Sequence, residues 1–254
     1  MTEQMRDDPP TQPVPEKKPR ALRTHPNRRP QQSERSRRDI LDAASRVISE
    51  YGFREATIDL IAEAAGISPT SIYWHFGNRE GMLAALSTRI TDHYQAAVIV
   101  ELESASLARR DTTSLTAEEA EAYVRAYARS VAQLALEQPQ VIRTQTALSS
   151  EGVILPTMRE GVRDYTRNMR QPTIAAVKRG VELGIFHPIS GTTWMDFIIG
   201  SLMGASIQVR MHRQGFDPVP PVRAVHDAGL LLLGLSPTGE EVGPPSTTLE
   251  AKDG

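Results

Sequence analysis

The chain has 254 residues, enough for one large domain or two smaller ones. Its formal net charge is -2, so no global field draws it to a polyanion and any basic surface must be local. It has no cysteine, which excludes disulfides and thiolate metal sites and fits a cytoplasmic protein; no apolar run is long enough to span a bilayer, and the polar start does not read as a signal peptide.

Residues 1–32 contain seven prolines and almost no periodic apolar residues. Such a stretch buries too little surface to offset ordering entropy, so a disordered tail is expected. Between Lys17 and Arg38 nearly every charge is positive, including Arg28, Arg29, Arg35 and Arg37. This fits an arm giving nonspecific electrostatic help on DNA, with a merely solubilising tail as the alternative. A first helix is expected over 33–50, with Ile40, Leu41, Ala44, Val47 and Ile48 as its buried stripe and Gly52 as its stop.

The stretch 57–86 is the most informative. Ile58, Ile61, Ala62 and Ala65 occupy one face of a short helix, capped by Thr57 and stopped by Gly66. Ser68 and Pro69 start a second helix, and Ile72 and Phe76 turn one side of it inward. Pro69, Thr70, Ser71, Tyr73, Trp74 and His75 are left on its other faces. Helix, glycine turn, helix is the helix-turn-helix arrangement, whose second helix enters the DNA major groove. Apolar spacing of this kind occurs in many small helical proteins. Adjacent exposed aromatics beside hydroxyls and a histidine favour phosphate, sugar and thymine-methyl contacts over that plainer reading.

A long fourth helix is expected from about 78 to 104, with Met82, Leu83, Leu86, Ile90, Tyr94 and Val98 at helical spacing. Thr116 and Glu119 form a capping box for a helix ending near 137, whose inner face is Tyr123, Val124, Tyr127, Val131 and Leu134. A shorter helix covers 139–148, then a loop. The next covers 155–183, with Pro172 kinking or splitting it. Two apolar helices close the fold, over 192–213 and 222–235. A second polar tail, 236–254, is expected to be disordered. Small residues four apart, Gly200 and Gly204, permit close helix approach, and together with Ile207, Leu230 and Leu233 they are the expected dimer interface. Intrachain packing accounts for part of the same surface.

Other chemistry finds little support. None of the six histidines pairs with another at i+3 or i+4, so no metal is expected. There is no glycine-rich phosphate loop after a strand and no nucleophile elbow, so neither catalysis nor a cofactor is expected.

The segment from about 35 to 90 resembles the DNA-binding domain of the TetR (tetracycline-repressor) family. The matching residues are Ile40–Leu41–Asp42–Ala43–Ala44, Tyr51–Gly52–Phe53, Thr57–Ile58, Ile61–Ala62, Ala65–Gly66–Ile67–Ser68, Ile72–Tyr73–Trp74–His75–Phe76 and Arg79–Glu80 before Met82–Leu83. The resemblance implies an all-α protein: a helix-turn-helix domain over 33–80 and a helical ligand-binding and dimerisation domain over 81–235. It implies a homodimer on a palindromic double-stranded DNA operator, acting as a repressor released by a small-molecule effector. A ligand-independent activator or architectural DNA binder is the alternative. Carried over position by position, phosphate contacts fall to Thr57, Ser68, Tyr73, His75 and Arg79, and base contacts to Pro69, Thr70, Ser71 and Trp74. Gly77 and Gly81 depart from the family's pattern, which suggests a looser start to the fourth helix. The implied effector pocket draws on segments carrying Tyr123, Tyr127, Met158, Tyr165, Met169, Trp194 and Phe197. These side chains suggest an apolar or amphipathic ligand, and Arg143 or Arg163 could meet an acidic group on it.

Overall fold

The structure is a computed structural model that describes residues 28–150, 166–211, 217–237 and 242. Among them are nine α-helices, one π-helical turn and no strand. The helices are α1 (Arg28–Tyr51), α2 (Ile58–Ala65), α3 (Pro69–Phe76), α4 (Arg79–Ser104), α5 (Ala117–Glu137), α6 (Pro139–Ser150), α7 (Gln171–Glu182), α8 (Gly191–Met211) and α9 (Val219–Leu232).

The all-α expectation holds, and most boundaries lie close to those read from the sequence. Two helices start earlier than expected, for one reason. Pro30 falls in the first turn of α1 and Pro220 and Pro221 in the first turn of α9, where the N–H that proline lacks has no helical partner anyway. Residues 28–32, expected in the tail, are therefore helical; residues 1–27, 238–241 and 243–254 of the two expected tails lie outside the described residues. The helix expected over 155–183 is described only from Thr166 onward, its earlier part lying outside the described residues. A π-helical turn, Thr166–Arg170, directly precedes α7, and Pro172 occupies the first turn of α7.

Helices α1 to α3 form a small head around Ile40, Ile48, Ile61 and Ile72, closed below by Met82 and Leu83 of α4. The long α4 carries this core into the body, where α5 lies centrally against α4, α6, α7 and α9. Tyr123, Val124, Tyr127, Val131 and Leu134 of α5 are all buried. The capping box is present in full: the Glu119 amide donates to Thr116 Oγ1 at 3.2 Å, and the Thr116 amide donates to Glu119 Oε2 at 2.9 Å. That bond, with help from Arg110, holds the Glu119 carboxyl below its usual range.

Head and body are joined by α4 and by a second bridge. The Ser45 and Thr144 hydroxyls lie 2.9 Å apart, and Thr144 Oγ1 also donates to the Ser45 carbonyl at 3.1 Å. This ties the middle of α1 to α6.

Candidate nucleic-acid interface

The turn between α2 and α3 follows from two residues. Thr57 Oγ1 accepts from the Leu60 amide at 3.2 Å, capping α2. Gly66 sits at φ +66°, a left-handed conformation that costs glycine little, and the Ile67 amide returns to the Ala62 carbonyl at 3.0 Å. The chain therefore turns sharply and presents α3 across α2. Pro69 opens α3. Ser68 has the expected N-cap backbone, but its hydroxyl pairs with Ser71 Oγ at 3.0 Å instead of capping the helix amides.

Ile72 is fully buried, and Phe76 packs against the same core. The opposite face of α3 is open. Trp74 is 73 % exposed and Tyr73 48 %, and Thr70 is exposed beside them. The His75 ring meets Trp74 edge-on with centroids 4.6 Å apart. Two large aromatics left in water on one short helix indicate a surface built for contact.

Two arginines hold this helix in place. Arg37 of α1 donates to the His75 carbonyl at 3.0 Å, and its guanidinium lies 4.4 Å from the Phe76 ring centroid. Sequence reasoning placed Arg37 among the cations of a DNA-binding arm and missed this bracing role. Arg79 donates to the Phe53 carbonyl at 2.9 Å and the Ala56 carbonyl at 3.4 Å and stacks on the Phe53 ring. Its guanidinium is turned onto the α1–α2 connection, where a phosphate contact was expected.

The start of α4 is close-packed, against the looseness expected from Gly77 and Gly81. Gly77 takes φ +77°. A Cβ on Gly81 would stand 2.2 Å from the Phe76 carbonyl oxygen, so only glycine allows α4 to approach the end of α3 this closely. Asn78 Oδ1 caps the helix, accepting from the Gly81 amide at 2.8 Å.

The other expected site residues divide. Tyr123, Tyr127, Met169 and Trp194 are buried in the body core, and Phe197 is partly buried against it. Trp194 Nε1 donates to the Gly229 carbonyl at 2.7 Å, and its ring stacks at a tilt on Tyr127 with centroids 5.8 Å apart, clipping α5, α8 and α9 together. Burial pushes the Tyr123 phenol up, partly offset by a hydrogen bond with Thr173. Met158, Tyr165 and Arg163 lie outside the described residues. Two cavities lie elsewhere among the described residues, and neither is lined by these aromatics. One, about 160 Å³, is mostly apolar and bordered by Ala135, Ile142, Leu202, Ala205 and Val222. The other, about 890 Å³, has polar and apolar walls in near-equal share and opens between α1, α4 and α6.

The expected dimer surface divides too. Gly200, Gly204 and Ile207 lie on an exposed face of α8, with open space above both glycines. Leu230 and Leu233 are only 1 % and 0 % exposed, packed inside their own chain, so they offer nothing to a partner. Leu231 and Leu232 are the exposed residues of that turn.

A three-helix head with a braced, aromatic-bearing second helix after a tight glycine turn defines a helix-turn-helix DNA-binding protein. Residues 40–86 match the family described as bacterial regulatory proteins, tetR family. Over these residues the chain is similar to the DNA-binding domain of the TetR family. Relatives include the HTH-type transcriptional regulator SrpR of Pseudomonas putida, 41 % identical over 59 residues, covering 23 % of this chain and 28 % of that protein. The HTH-type transcriptional repressor AcnR of Corynebacterium glutamicum is 40 % identical over 52 residues, covering 20 % of this chain and 28 % of its own. The chain thus aligns with less than a third of the length of either relative. The crystal structure of FadR from Bacillus subtilis in complex with stearoyl-CoA shares the fold, with a TM-score of 0.57 at 17 % identity, covering 77 % of this chain and 98 % of that one.

Proposed function

We propose that the chain is a sequence-specific transcriptional regulator that binds a palindromic operator as a homodimer and acts as a repressor released by a small apolar or amphipathic ligand. The observation that carries the DNA-binding part is the exposed outer face of α3, with Trp74 and Tyr73 in water and Arg37 fixing the helix beneath them. On this reading Trp74, Thr70, Ser71 and Pro69 face base edges. Tyr73, His75, Ser68 and Thr57 face phosphates; the Thr57 hydroxyl accepts from its own helix and still has a hydrogen to donate. Arg79 acts by holding the α1–α2 turn in place. SrpR and AcnR are both named as transcriptional regulators, AcnR as a repressor.

One head covers only a few base pairs, and a two-fold partner would supply the second half-site about 34 Å away. The exposed face of α8 with Gly200, Gly204 and Ile207 supports this pairing. FadR of Bacillus subtilis holds stearoyl-CoA. In the present chain the apolar cavity against α6 suits the hydrocarbon part of a ligand. A ligand that displaced α6 would pull on α1 through Ser45 and Thr144 and change the spacing of the two heads. Selection from random duplexes with the full-length protein tests the reading. Enriched inverted repeats with half-sites roughly one helical turn apart are expected. Recovery of random sequence, or of a single half-site by a monomer, would overturn it.

A further inference from the structure

The cavity between head and body gathers more charge than the contacts between its helices use. Its walls come from three helices: Asp42, Arg46 and Glu50 on α1, Arg89 and His93 on α4, and Arg143 on α6. Leu86, Ile90 and Val141 add an apolar side, and no residue of α3 takes part. At about 890 Å³ it lies in the size range of small-molecule sites.

Three guanidiniums face two carboxylates here, and the pairing is incomplete. Arg89 is neutralised by Asp42 and also donates to the Arg38 carbonyl at 3.0 Å. Among the described residues, Arg46 reaches the Ala64 carbonyl alone, at a long 3.4 Å. Arg143 Nε is buried and has no hydrogen-bond partner among the described residues. A buried cationic N–H without an acceptor is costly, and native structures rarely keep one without a use. The residue sits one position from Thr144, which fastens α6 to α1.

We propose that this cleft is a binding site for a small organic anion bearing carboxylate or phosphate, with Arg143 as its principal partner and Arg46 and His93 as further donors. A planar guanidinium fork suits either oxyanion group. An anion held there would bridge α1, α4 and α6, the three helices that set the head against the body. The site is distinct from the apolar cavity on the far side of α6, although Arg143 borders both.

His93 supplies a signature. Burial and then the Arg89 charge lower its pKa, against smaller opposing effects of Asp42 and Asp92. Arg46, Glu50 and Arg143 complete the charged groups around the cleft. The imidazole is therefore mostly neutral at neutral pH. A bound anion raises its pKa again, so binding takes up a proton and tightens as pH falls.

Calorimetric titration of the full-length protein with pyrophosphate and with succinate, without DNA and at fixed ionic strength, tests the site separately from the regulatory role. Saturable binding of one anion per chain is expected, and the preferred probe identifies the group as phosphate or carboxylate. Arg143→Met should weaken binding about tenfold or more, the loss expected for one charge-assisted partner. His93→Gln should flatten the rise in affinity that the wild type shows as pH falls from neutral through the range in which His93 takes up its proton. Lys178→Met, on the exposed side of α7, should bind like the wild type. No saturation by either probe would overturn the proposal. So would undiminished binding by Arg143→Met, or equal weakening by Lys178→Met. Should Arg143→Met fail to fold, the His93→Gln profile decides alone: an unflattened profile would count against the site.

Discussion

The chain has two tryptophans, and they show how differently its two regions are built. Trp74 stands on the head, 73 % exposed, touching chiefly its neighbour His75. Trp194 lies in the body at 0 % exposure, bonded to the Gly229 carbonyl and stacked on Tyr127. One large aromatic is kept in water at the expense of unburied surface; the other joins three helices. The head keeps a rigid backbone beneath an outward-facing set of side chains. The body turns the same residue types inward, and its openings are cavities and a cleft.

The contrast breaks most sharply under substitution of the buried partner. Trp194→Ala should cost about 3–5 kcal/mol, the range for removing a large core aromatic. Urea denaturation measures it; a loss below about 1 kcal/mol would mean that the indole is not a core element. Gly81→Ala should cost less, about 1–3 kcal/mol, because the new Cβ meets backbone at the Phe76 carbonyl, which cannot swing aside as a side chain can. The same denaturation series reads it, and a neutral result would mean that α4 moves away from α3 without penalty. Trp74→Ala should change stability by no more than about 0.5 kcal/mol, as for surface positions free of special contacts.

The head was legible because its signals are local. Thr57, Gly66 and Pro69 each act within one turn of their own position, and the structure keeps the role read for each. The capping box at Thr116 and Glu119 was legible for the same reason. Long side chains were not. Arg37 finds the His75 carbonyl and Arg79 the Phe53 carbonyl, and no local pattern tells an arginine facing a carbonyl from one facing a phosphate. Apolar periodicity also cannot distinguish burial within a chain from burial between chains. It marked Leu230 and Leu233 for a partner when their own chain covers them. The charged cleft was beyond reach, since Asp42 and Arg143 meet only once α1, α4 and α6 are packed. Arg143 could be noted as a cation available to an acidic ligand, but not as one facing a second helix of the head.

The most direct test of the account is the discrimination of Trp74→Ala between an operator selected by the wild-type protein and a scrambled duplex at the same salt. A folded protein of nearly unchanged stability is expected, one that still binds DNA nonspecifically but loses most of its preference, about 1–3 kcal/mol of discrimination for each base contact removed. An unchanged ratio of specific to nonspecific affinity would contradict the assignment of base reading to the outer face of α3.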